Sequence, residues 1–530
     1  MVASPSPGAS SGLRRVAAID IGTNSIHLLI AAINPDLHSF SVVLVEKSTA
    51  RLGERDPVSG ALSEAAIERG FRTLQHCREL AESHGVEAIV TAATSAVREA
   101  PNGREFLQSV QEQIGLTVDL ISGPEEARLI YLGVLSGMAF GDQPHLILDI
   151  GGGSTELVLA DGRDSRALTS TRVGAVRLQR DFIDQDPLPA ERRSFLTAFI
   201  QGALEPAVLQ VRRRIEAGEA PVMVATSGTA MAIGALAAAE EERPPLKLQG
   251  YRISRQRVDQ LVDRLVAMTP EQRRALPAIN DRRAEIIVPG ALILQTAMRM
   301  LAVQELVICD RALREGLIVD WMLRQGLLED RFAYQSSIRQ RSIRHQAQRF
   351  GVDLVRAERV ANLALSLYDQ TAGPLHQDSG GGRELLWAAA MLHRCGQHIN
   401  VGAYHKHSWY LIRHGELLGY SDGEHLIVAA IARYHRRSLP KKRHEAWQLL
   451  DSRDDRRLVG AMALLLRLAA ALDRRPEARL SGLSASVVDQ QLRITLTPGE
   501  PGLDLSLEQW SLRGCAAALK EASGLELVVT

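Results

Sequence analysis

Hydrophobic and polar positions divide the chain into stretches of different periodicity. Between residues 14 and 325, short β-branched apolar runs alternate with helical segments, which predicts an α/β arrangement. Between residues 326 and 475 the strand signals disappear and apolar residues recur at helical spacing, which predicts an all-α region. Residues 476–530 return to alternating segments around a helix and predict a small α/β domain. Residues 1–13 are rich in Ser, Pro, Ala and Gly and are expected to form a disordered lead-in.

The α/β stretch contains an internal repeat. Each half opens with a strand that ends in an aspartate, followed by a glycine-bearing hairpin loop and a second strand. The repeated segments read IDIGTNS at Ile19–Ser25 and LDIGGGS at Leu148–Ser154. Duplicated halves with similar loops predict two lobes around a cleft, and we place these lobes at residues 14–124 and 125–325.

The loop of the second half has the composition of a phosphate-binding site. Successive glycines let backbone N–H groups approach an anion closely, and the hydroxyl groups that follow add donors. Asp149 before the loop and Glu156 after it supply the hard oxygen ligands that hold Mg²⁺ beside phosphate. The alternative is a hairpin whose glycines serve steric needs alone, but the flanking acids and the second loop favour phosphate binding. The candidate substrate-binding residues of this loop are Gly151, Gly152, Gly153, Ser154 and Thr155.

The matching loop of the first half has one glycine and more side-chain donors. Two facing loops of this kind can hold a chain of phosphates from both sides. Asp20, which precedes the loop, either contacts a metal ion through water or accepts hydrogen bonds that organise the loop, and the residues favour neither role. The candidate substrate-binding residues here are Gly22, Thr23, Asn24 and Ser25.

A third motif, Gly123-Pro-Glu-Glu-Ala-Arg128, stands at the start of a predicted helix. Proline in the first turn and acids near the N-terminus both favour helix initiation. On spacing alone, helix initiation accounts for Glu125 and Glu126 without any catalytic role.

Composition narrows the possible classes of function. The 62 basic and 62 acidic residues give a net charge of +0, which excludes a global positive field for nucleic acid. We expect no transmembrane segment, because apolar runs fall short of the roughly 20 residues that span a bilayer. Four widely spaced cysteines without a CxxC motif fit a reducing compartment. We therefore expect a cytoplasmic location, with peripheral membrane association left open, and no nucleic-acid partner.

The ordered set of motifs resembles that of the exopolyphosphatase / guanosine pentaphosphate phosphohydrolase (Ppx/GppA) family, which is similar to the actin–Hsp70–sugar kinase (ASKHA) superfamily. The resemblance implies an α/β fold with a duplicated actin-like, ribonuclease H-like N-terminal half of two lobes. An all-α HD-like domain and a small α/β C-terminal domain would follow. Besides the two hairpin loops, the matching segments are Ala93–Arg98, Ser122–Tyr131, Thr226–Thr229, Arg283–Gly290 and Ala312–Gly316.

The resemblance also implies roles for individual residues. Glu126 would orient or deprotonate the attacking water. Mg²⁺ would be the cofactor, with a monovalent cation such as K⁺ as a further candidate, and Asp149, Glu156 and Asp20 would organise the metal. The implied phosphate contacts are Arg98, the third loop Ser227, Gly228 and Thr229, and Arg283, for which a helix-surface ion pair is the alternative.

The all-α region resembles the HD lineage of metal phosphohydrolases, but its metal ligands are altered. The His-Asp dyad is replaced by His393-Arg394, and Arg356 stands near the position of an earlier ligand histidine. Only Asp473 fits the pattern, so we predict a degenerate metal site. We predict instead that basic residues line a groove for the tail of a polyanion, with a solvated loop as the alternative. These residues are His405, His407, Arg413, Arg436, Arg437 and Lys441–Arg443.

Together these features predict a phosphoric anhydride hydrolase, an exopolyphosphatase that releases orthophosphate from the end of inorganic polyphosphate. Removal of the 5′ phosphate from guanosine pentaphosphate (pppGpp) is the alternative, because both reactions would use the same loops. An ATPase or kinase of the same superfamily and a non-catalytic phosphate or alarmone sensor are further alternatives. The family resemblance suggests a homodimer.

Overall fold

The computed structural model describes residues 12–328, 338–377, 381–450 and 452–530. All but the last two positions of the expected lead-in lie outside the described residues. The chain forms two compact units, one that ends at Ile338 and one that begins at Arg339. No helix within the described ranges has the length and apolar character needed to cross a membrane.

The first unit contains eleven described strands and twelve described helices. The strands are β1 Arg14–Ile21, β2 Ile26–Asn34, β3 Ser39–Ser48, β4 Ala88–Ala93, β5 Asp119–Leu120, β6 His145–Ile150, β7 Thr155–Ala160, β8 Ser165–Thr171, β9 Val222–Thr226, β10 Arg252–Ser254 and β11 Glu305–Ile308. The helices are α1 Glu64–Ser83, α2 Ser95–Arg98, α3 Gly103–Ile114, α4 Gly123–Leu135, α5 Ala175–Phe182, α6 Ala190–Arg212, α7 Ser227–Ala239, α8 Arg255–Ala267, α9 Pro270–Arg274, α10 Asp281–Ala284, α11 Ile287–Met300 and α12 Leu313–Arg324.

Two sheets of the same plan confirm the predicted duplication and the actin-like fold class. Their strand orders are β3-β2-β1-β4-β5 and β10-β11-β9-β6-β7-β8. In each sheet, the strand that ends in the key aspartate pairs antiparallel with the next strand and parallel with a strand reached by a long connection. Asp20 lies opposite His27 across one hairpin, and Asp149 lies opposite Glu156 across the other. The aspartates therefore occupy equivalent positions in the two halves.

Local sequence signals account for the helix ends, with one correction. The sequence predicts a helix that begins after Ser63, and Ser63 caps α1, its hydroxyl accepting a hydrogen bond from the backbone N–H of Ala66. The sequence also predicts a helix over residues 282–300 that is interrupted near Pro289 and Gly290, but the break falls between α10 and α11, at Glu285 and Ile286. Pro289 instead lies in the first turn of α11, where its missing N–H removes no intrahelical bond.

Helices α4 and α12 pack between the two sheets. Helix α4, which precedes β6, packs on β7 and β8 of the second sheet, and α12, which follows β11, packs on β1, β2 and β4 of the first. The two helices cross where Gly133 meets the backbone of Ala312 and Gly316 meets the backbone of Leu129. A Cβ atom at either glycine would overlap a carbonyl group of the other helix. The crossing therefore requires both glycines.

The second unit is a helical bundle joined to a small sheet. Its helices are α13 Ile338–Arg349, α14 Leu354–Gln370, α15 Gly382–Leu392, α16 Tyr404–His414, α17 Asp422–Tyr434, α18 Glu445–Gln448 and α19 Arg453–Leu472, with a 3₁₀ turn at Cys395–His398. The α/β part contains β12 Leu480–Val488, β13 Gln491–Pro498, α20 Ser506–Arg513, α21 Ala516–Ser523 and β14 Glu526–Val529. The sequence predicts one helix in this part, over residues 512–522, but the structure has two helices, separated at Gly514 and Cys515. Leu492 and Ile494 of β13 belong to the same hydrophobic core as the bundle.

The helix crossing predicts the effect of adding one methyl group. Gly316→Ala should lower the free energy of unfolding by about 1–3 kcal/mol, because the new Cβ forces two helix backbones apart. Gly202→Ala is the matched control, since Gly202 lies in α6 with open space around the added Cβ. That variant should gain up to about 1 kcal/mol from helix propensity. Thermal unfolding of both variants measures the difference, and equal effects would show that the crossing is not tightly packed.

Candidate active site

A cleft of about 380 Å³ opens between the two lobes of the first unit. The loops β1–β2 and β6–β7, the first turn of α4, and the segments before α7 and α12 contribute to its lining. Fifteen of the residues predicted as site residues line it. They are Asp20, Gly22, Thr23, Asn24, Ser25, Glu126, Asp149, Gly151, Gly152, Ser154, Glu156, Ser227, Gly228, Thr229 and Arg283.

The two hairpin loops contain the same kind of backbone turn, and they approach each other closely. The N–H of Gly22 donates to the carbonyl of Ser25 at 3.1 Å, and the N–H of Gly151 donates to the carbonyl of Ser154 at 2.9 Å. A Cβ at Gly152 would lie 2.9 Å from the Thr23 side chain, closer than carbon atoms normally approach. The glycine therefore allows the loop of one lobe to contact the loop of the other.

Helix α5 holds the glycine loop in place. The N–H of Ala175 donates to the carbonyl of Gly151 at 3.0 Å, and the N–H of Val176 donates to the carbonyl of Gly152 at 2.9 Å. The N–H groups in the first turn of a helix have no intrahelical partners, so these bonds satisfy both the helix and the loop. The loop position is consequently fixed without any ligand.

The predicted third loop, Ser227–Thr229, is the first turn of α7 directly after β9, and it presents unsatisfied polar groups. Ser227 has a positive φ of 89°, a strained backbone conformation for a residue with a side chain. Its hydroxyl and that of Thr229 are buried without a hydrogen-bond partner in the described structure. The guanidinium of Arg283 lies directly against Gly228, where a Cβ would overlap it. These groups are positioned to donate to an anion in the cleft.

The adjacent acids Glu125 and Glu126 have different surroundings. Glu125 forms an ion pair with Arg128 at 2.7 Å, and the Ser122 hydroxyl accepts from its backbone N–H, so it belongs to the helix start. Glu126 is buried, with 7% of its surface exposed, and its side chain lines the cleft. Arg98 donates to Glu126 Oε2 at 3.1 Å. Helix initiation alone therefore accounts for the first acid and not for the second.

Buried carboxylates crowd one side of the cleft. Burial raises the pKa of Asp20 to about 7, and the charge of Glu126 adds to the shift. Burial raises the pKa of Asp149 to about 7, with a contribution from Asp20. Burial also raises the pKa of Glu126 to about 7, although Arg98 opposes the shift. The pKa of Glu156 is raised well above its usual value by burial and by the Glu126 and Asp149 charges.

Cations gather at the other side. Lys47 on β3 lies beside His27 on β2, which lies beside Asp20 on β1, so the three form a row across the first sheet. Desolvation and the guanidinium groups of Arg283 and Arg314 lower the pKa of Lys47. Burial and the same three cations lower the pKa of His27 to about 3, which keeps its imidazole neutral. A bound polyanion would relieve this mutual repulsion.

The sequence analysis identified Arg283 but missed His27, Lys47 and Arg314, and the internal repeat contains the signal for one of them. His27 occupies the register position in the first hairpin that Glu156 occupies in the second. An alignment of the two halves would therefore have singled out His27. Arg314 lies within the motif Ala312–Gly316 but was not singled out there, and Lys47 has no motif around it.

Four predicted site residues do not line the cleft. Arg98 was expected to contact phosphate, but its guanidinium is bonded to Glu126 and to the carbonyl of Ile121 at 2.8 Å. Thr155 was expected to offer its hydroxyl to phosphate, but that hydroxyl donates to the carbonyl of Val173 at 2.5 Å. Gly153 packs against the side chains of Ser95 and Thr23. The fourth, His407, belongs to the second unit, and its contact with substrate stays a prediction.

In the second unit, arginines surround the one acid retained from the HD pattern. Asp473 has a fully buried side chain and forms ion pairs with Arg356 at 2.9 Å, Arg394 at 3.2 Å and Arg359 at 3.5 Å. Guanidinium groups thus take the positions from which a metal ion would approach this carboxylate. The altered residues Arg356 and Arg394 thus form an ion-pair network with Asp473.

Two residues of the predicted basic groove are used differently. Arg413 forms a bidentate ion pair with Asp422, with distances of 2.7 and 3.0 Å, so its charge is already neutralised. His405 is buried, and burial together with Arg433 and Arg436 lowers its pKa to about 4. Their assignment to a groove that binds a polyanion is therefore wrong.

Known proteins share these sequence and structural features. The sequence profile of the Ppx/GppA phosphatase family matches residues 29–325, and the profile of its domain III matches residues 338–514. A Ppx/GppA family member from Aquifex aeolicus is 29% identical, with a TM-score of 0.51 over 59% of this chain and 99% of that one. An exopolyphosphatase from Cytophaga hutchinsonii is 25% identical, with a TM-score of 0.54 over 60% of this chain and 100% of that one.

The raised pKa of Asp149 predicts that replacing this residue by a neutral one increases the stability of the fold, and that the increase depends on pH. The folded protein binds this proton more tightly than the unfolded chain, so burial of Asp149 costs stability increasingly from about pH 4 to about pH 7. In EDTA at pH 8, Asp149→Asn should therefore unfold a few degrees above the wild type, and the difference should vanish only near pH 4. Thermal unfolding across this range is the measurement. Asp36→Asn, at an exposed turn, should change nothing, and a gain for Asp149→Asn that is independent of pH would contradict the explanation.

The network around Asp473 predicts a large loss of stability. Asp473→Ala leaves three guanidinium groups without their shared carboxylate and should cost about 3–5 kcal/mol. Asp369→Ala is the control, because Asp369 forms an exposed ion pair with Arg383 that is worth at most about 1 kcal/mol. Denaturant unfolding followed by tryptophan fluorescence suits this unit, which contains Trp387, Trp409, Trp447 and Trp510. Similar losses for the two variants would contradict a structural role for the network.

Proposed function

Because the chain belongs to the Ppx/GppA phosphatase family, we propose that it is an exopolyphosphatase, which hydrolyses the terminal phosphate of inorganic polyphosphate and releases orthophosphate. The supporting observation is the division of charge in the cleft. In the first sheet, Asp20, His27 and Lys47 lie side by side on three neighbouring strands, so the row ends at a cation. In the second sheet, the paired residues Asp149 and Glu156 are both buried acids. A polyphosphate end combines a reacting phosphate with a strongly anionic tail, and the two sides of the cleft match these two parts.

The cations would hold the chain that leaves. Lys47, Arg283 and Arg314 are close enough to lower the pKa of the neutral His27 between them. Arginine forks and a lysine ammonium neutralise phosphate oxygens, and charge neutralisation dominates the catalysis of phosphoryl transfer. The unpartnered hydroxyls of Ser227 and Thr229 would add donors to the same phosphates.

The acidic side fits Mg²⁺. Asp149, Glu156 and Asp20 carry raised pKa values from burial and from neighbouring negative charges, which a divalent cation would relieve. Within the described ranges, no group of three or more His, Cys, Asp or Glu side chains is arranged to hold a metal ion. Mg²⁺ commonly binds through one or two carboxylates, several waters and substrate phosphate. When bound, it would supply positive charge to the phosphate oxygens.

Glu126 would act on the attacking water. Its pKa of about 7 makes the carboxylate a suitable proton acceptor near neutral pH. Arg98 holds one carboxylate oxygen at 3.1 Å and would orient the other toward the cleft. The water oxygen would form a bond to the terminal phosphorus while the bond from that phosphorus to the bridging oxygen breaks. Glu126 would receive the proton of the water, and the shortened polyphosphate would leave along the cationic side.

The same cleft would also accommodate the removal of the 5′ phosphate from pppGpp. The assay described below therefore tests pppGpp as a second substrate. The similarity to the Cytophaga hutchinsonii exopolyphosphatase supports polyphosphate as the substrate. The homodimer suggested by the family resemblance stays a prediction.

Neighbouring acids provide a matched test of the mechanism. Glu126→Gln should lower kcat for phosphate release from long-chain polyphosphate by about 10²–10⁴-fold, because the amide cannot accept the proton of the water. Glu125→Gln should retain activity within a few-fold, because Glu125 pairs with Arg128 at the helix start. Orthophosphate release from polyphosphate, pppGpp and ATP is measured for the wild type and both variants.

Controls separate the possible outcomes of this assay. EDTA should abolish release by the wild type, and added Mg²⁺ should restore it. Orthophosphate release from pppGpp but not from polyphosphate would show that the nucleotide, and not polyphosphate, is the substrate. Equal activity of Glu126→Gln and the wild type would contradict the assigned role of Glu126.

A further inference from the structure

A second cavity lies in the helical unit, at the site of the altered HD residues. It has a volume of about 310 Å³ and lies between the start of α14 and the 3₁₀ turn that follows α15. A cavity of this size accommodates a small phosphorylated molecule. Its lining includes Phe350, Asp353, Arg356, His393, Arg394 and Gln397.

The charge around this cavity favours an anion. Arg356 and Arg394 line the cavity and share the carboxylate of Asp473 with Arg359, which lies outside the lining, so the three guanidinium groups and one carboxylate of this network carry a net charge of +2. Asp353 contributes one negative charge at the rim, where its carboxylate accepts the backbone N–H of Arg356 at 3.1 Å and caps α14. The cavity also lies at the N-terminal end of this 17-residue helix, where the helix dipole favours negative charge. Arginine guanidinium groups bind phosphate oxygens in a defined geometry.

His393 adds a buried acceptor to the cavity wall. Its Nδ1 lies 2.6 Å from the carbonyl of Ala390, and because a carbonyl can only accept, Nδ1 carries the proton. The residue is 1% exposed, and its Nε2 has no hydrogen-bond partner in the described structure. Burial and the charges of Arg394 and Arg356 lower the pKa of His393 to about 3, so Nε2 keeps its lone pair. A buried lone pair of this kind is satisfied by an N–H or O–H group.

The rest of the cavity wall contains aromatic rings and a side-chain amide. The Phe350 and His398 rings lie 5.7 Å apart in an edge-to-face arrangement, and His398 also lines the cavity. The exposed amide of Gln397 can both donate and accept. Aromatic faces and amide groups are the features that bind a nucleobase, whereas inorganic phosphate would use neither.

From this combination we infer that the cavity binds a nucleotide, with its phosphate at Arg356 and Arg394 and an N–H or O–H group at His393. The site is distinct in sequence and unit from the cleft of the proposed function, and the inference does not depend on that function. The HD residues have thus been converted from a metal-ligand set into an anion-binding set.

The test is hydrogen–deuterium exchange of the full chain with AMP, GMP, ribose 5-phosphate or orthophosphate. Either nucleotide should slow exchange in residues 350–357 and 393–398, measured separately from the hairpin loops of the first unit. Gln397→Glu places a negative charge on the exposed wall and should weaken nucleotide binding at these segments by at least about tenfold. Asn400→Asp adds the same charge outside the lining and should leave binding unchanged.

Other results would overturn the inference. Protection confined to the first-unit loops, or equal nucleotide binding by the wild type and Gln397→Glu, would exclude this cavity as the site. Equal protection by orthophosphate or ribose 5-phosphate would exclude recognition of a base. Loss of protection in Asn400→Asp as well would show that charge, rather than the cavity wall, controls binding.

Discussion

Direct backbone contact between α4 and α12, made possible by Gly133 and Gly316, joins the two lobes of the first unit. Helix α4 packs on the second sheet and α12 packs on the first, and the two sheets share a core. The first turn of α4 carries Glu126 to the cleft, and the first turn of α12 carries Arg314 there. The positions of functional residues on both sides of the cleft therefore depend on one helix crossing, in which the two backbones touch without a side chain between them.

Within this frame, the repeat has diverged in charge while it has kept its backbone. Both hairpins end a strand with an aspartate and close with the same turn, but the next residues across each sheet differ. The first sheet presents His27 and Lys47, and the second presents Glu156 and Ser170, whose hydroxyl donates to Glu156 at 2.8 Å. Duplication thus supplies two equivalent loops, and divergence of the neighbouring strands makes one side cationic and the other acidic.

The sequence was sufficient for the parts of the site that depend on local pattern. Glycine loops, strand-terminal aspartates and the duplicated plan could be read from residue order, because a strand–turn–strand pattern constrains its own backbone. The contacts of Arg98 and Thr155 could not, because each side chain is bonded to a group distant in sequence or on a neighbouring strand. Lys47 reaches the cleft only through the pairing of three strands. The helix crossing depends on packing between segments about 180 residues apart, which no local signal encodes.

The packing of α12 on the first sheet also constrains how the protein is made. Strand β1 is synthesised before α12, which covers its apolar face and follows about 290 residues later. At translation rates of about 5–20 residues per second, this interval is roughly 15–60 s. During that time the nascent first lobe exposes a sheet face that its own half cannot cover. We therefore expect this sheet face to be exposed to aggregation and to chaperones until residue 324 has emerged.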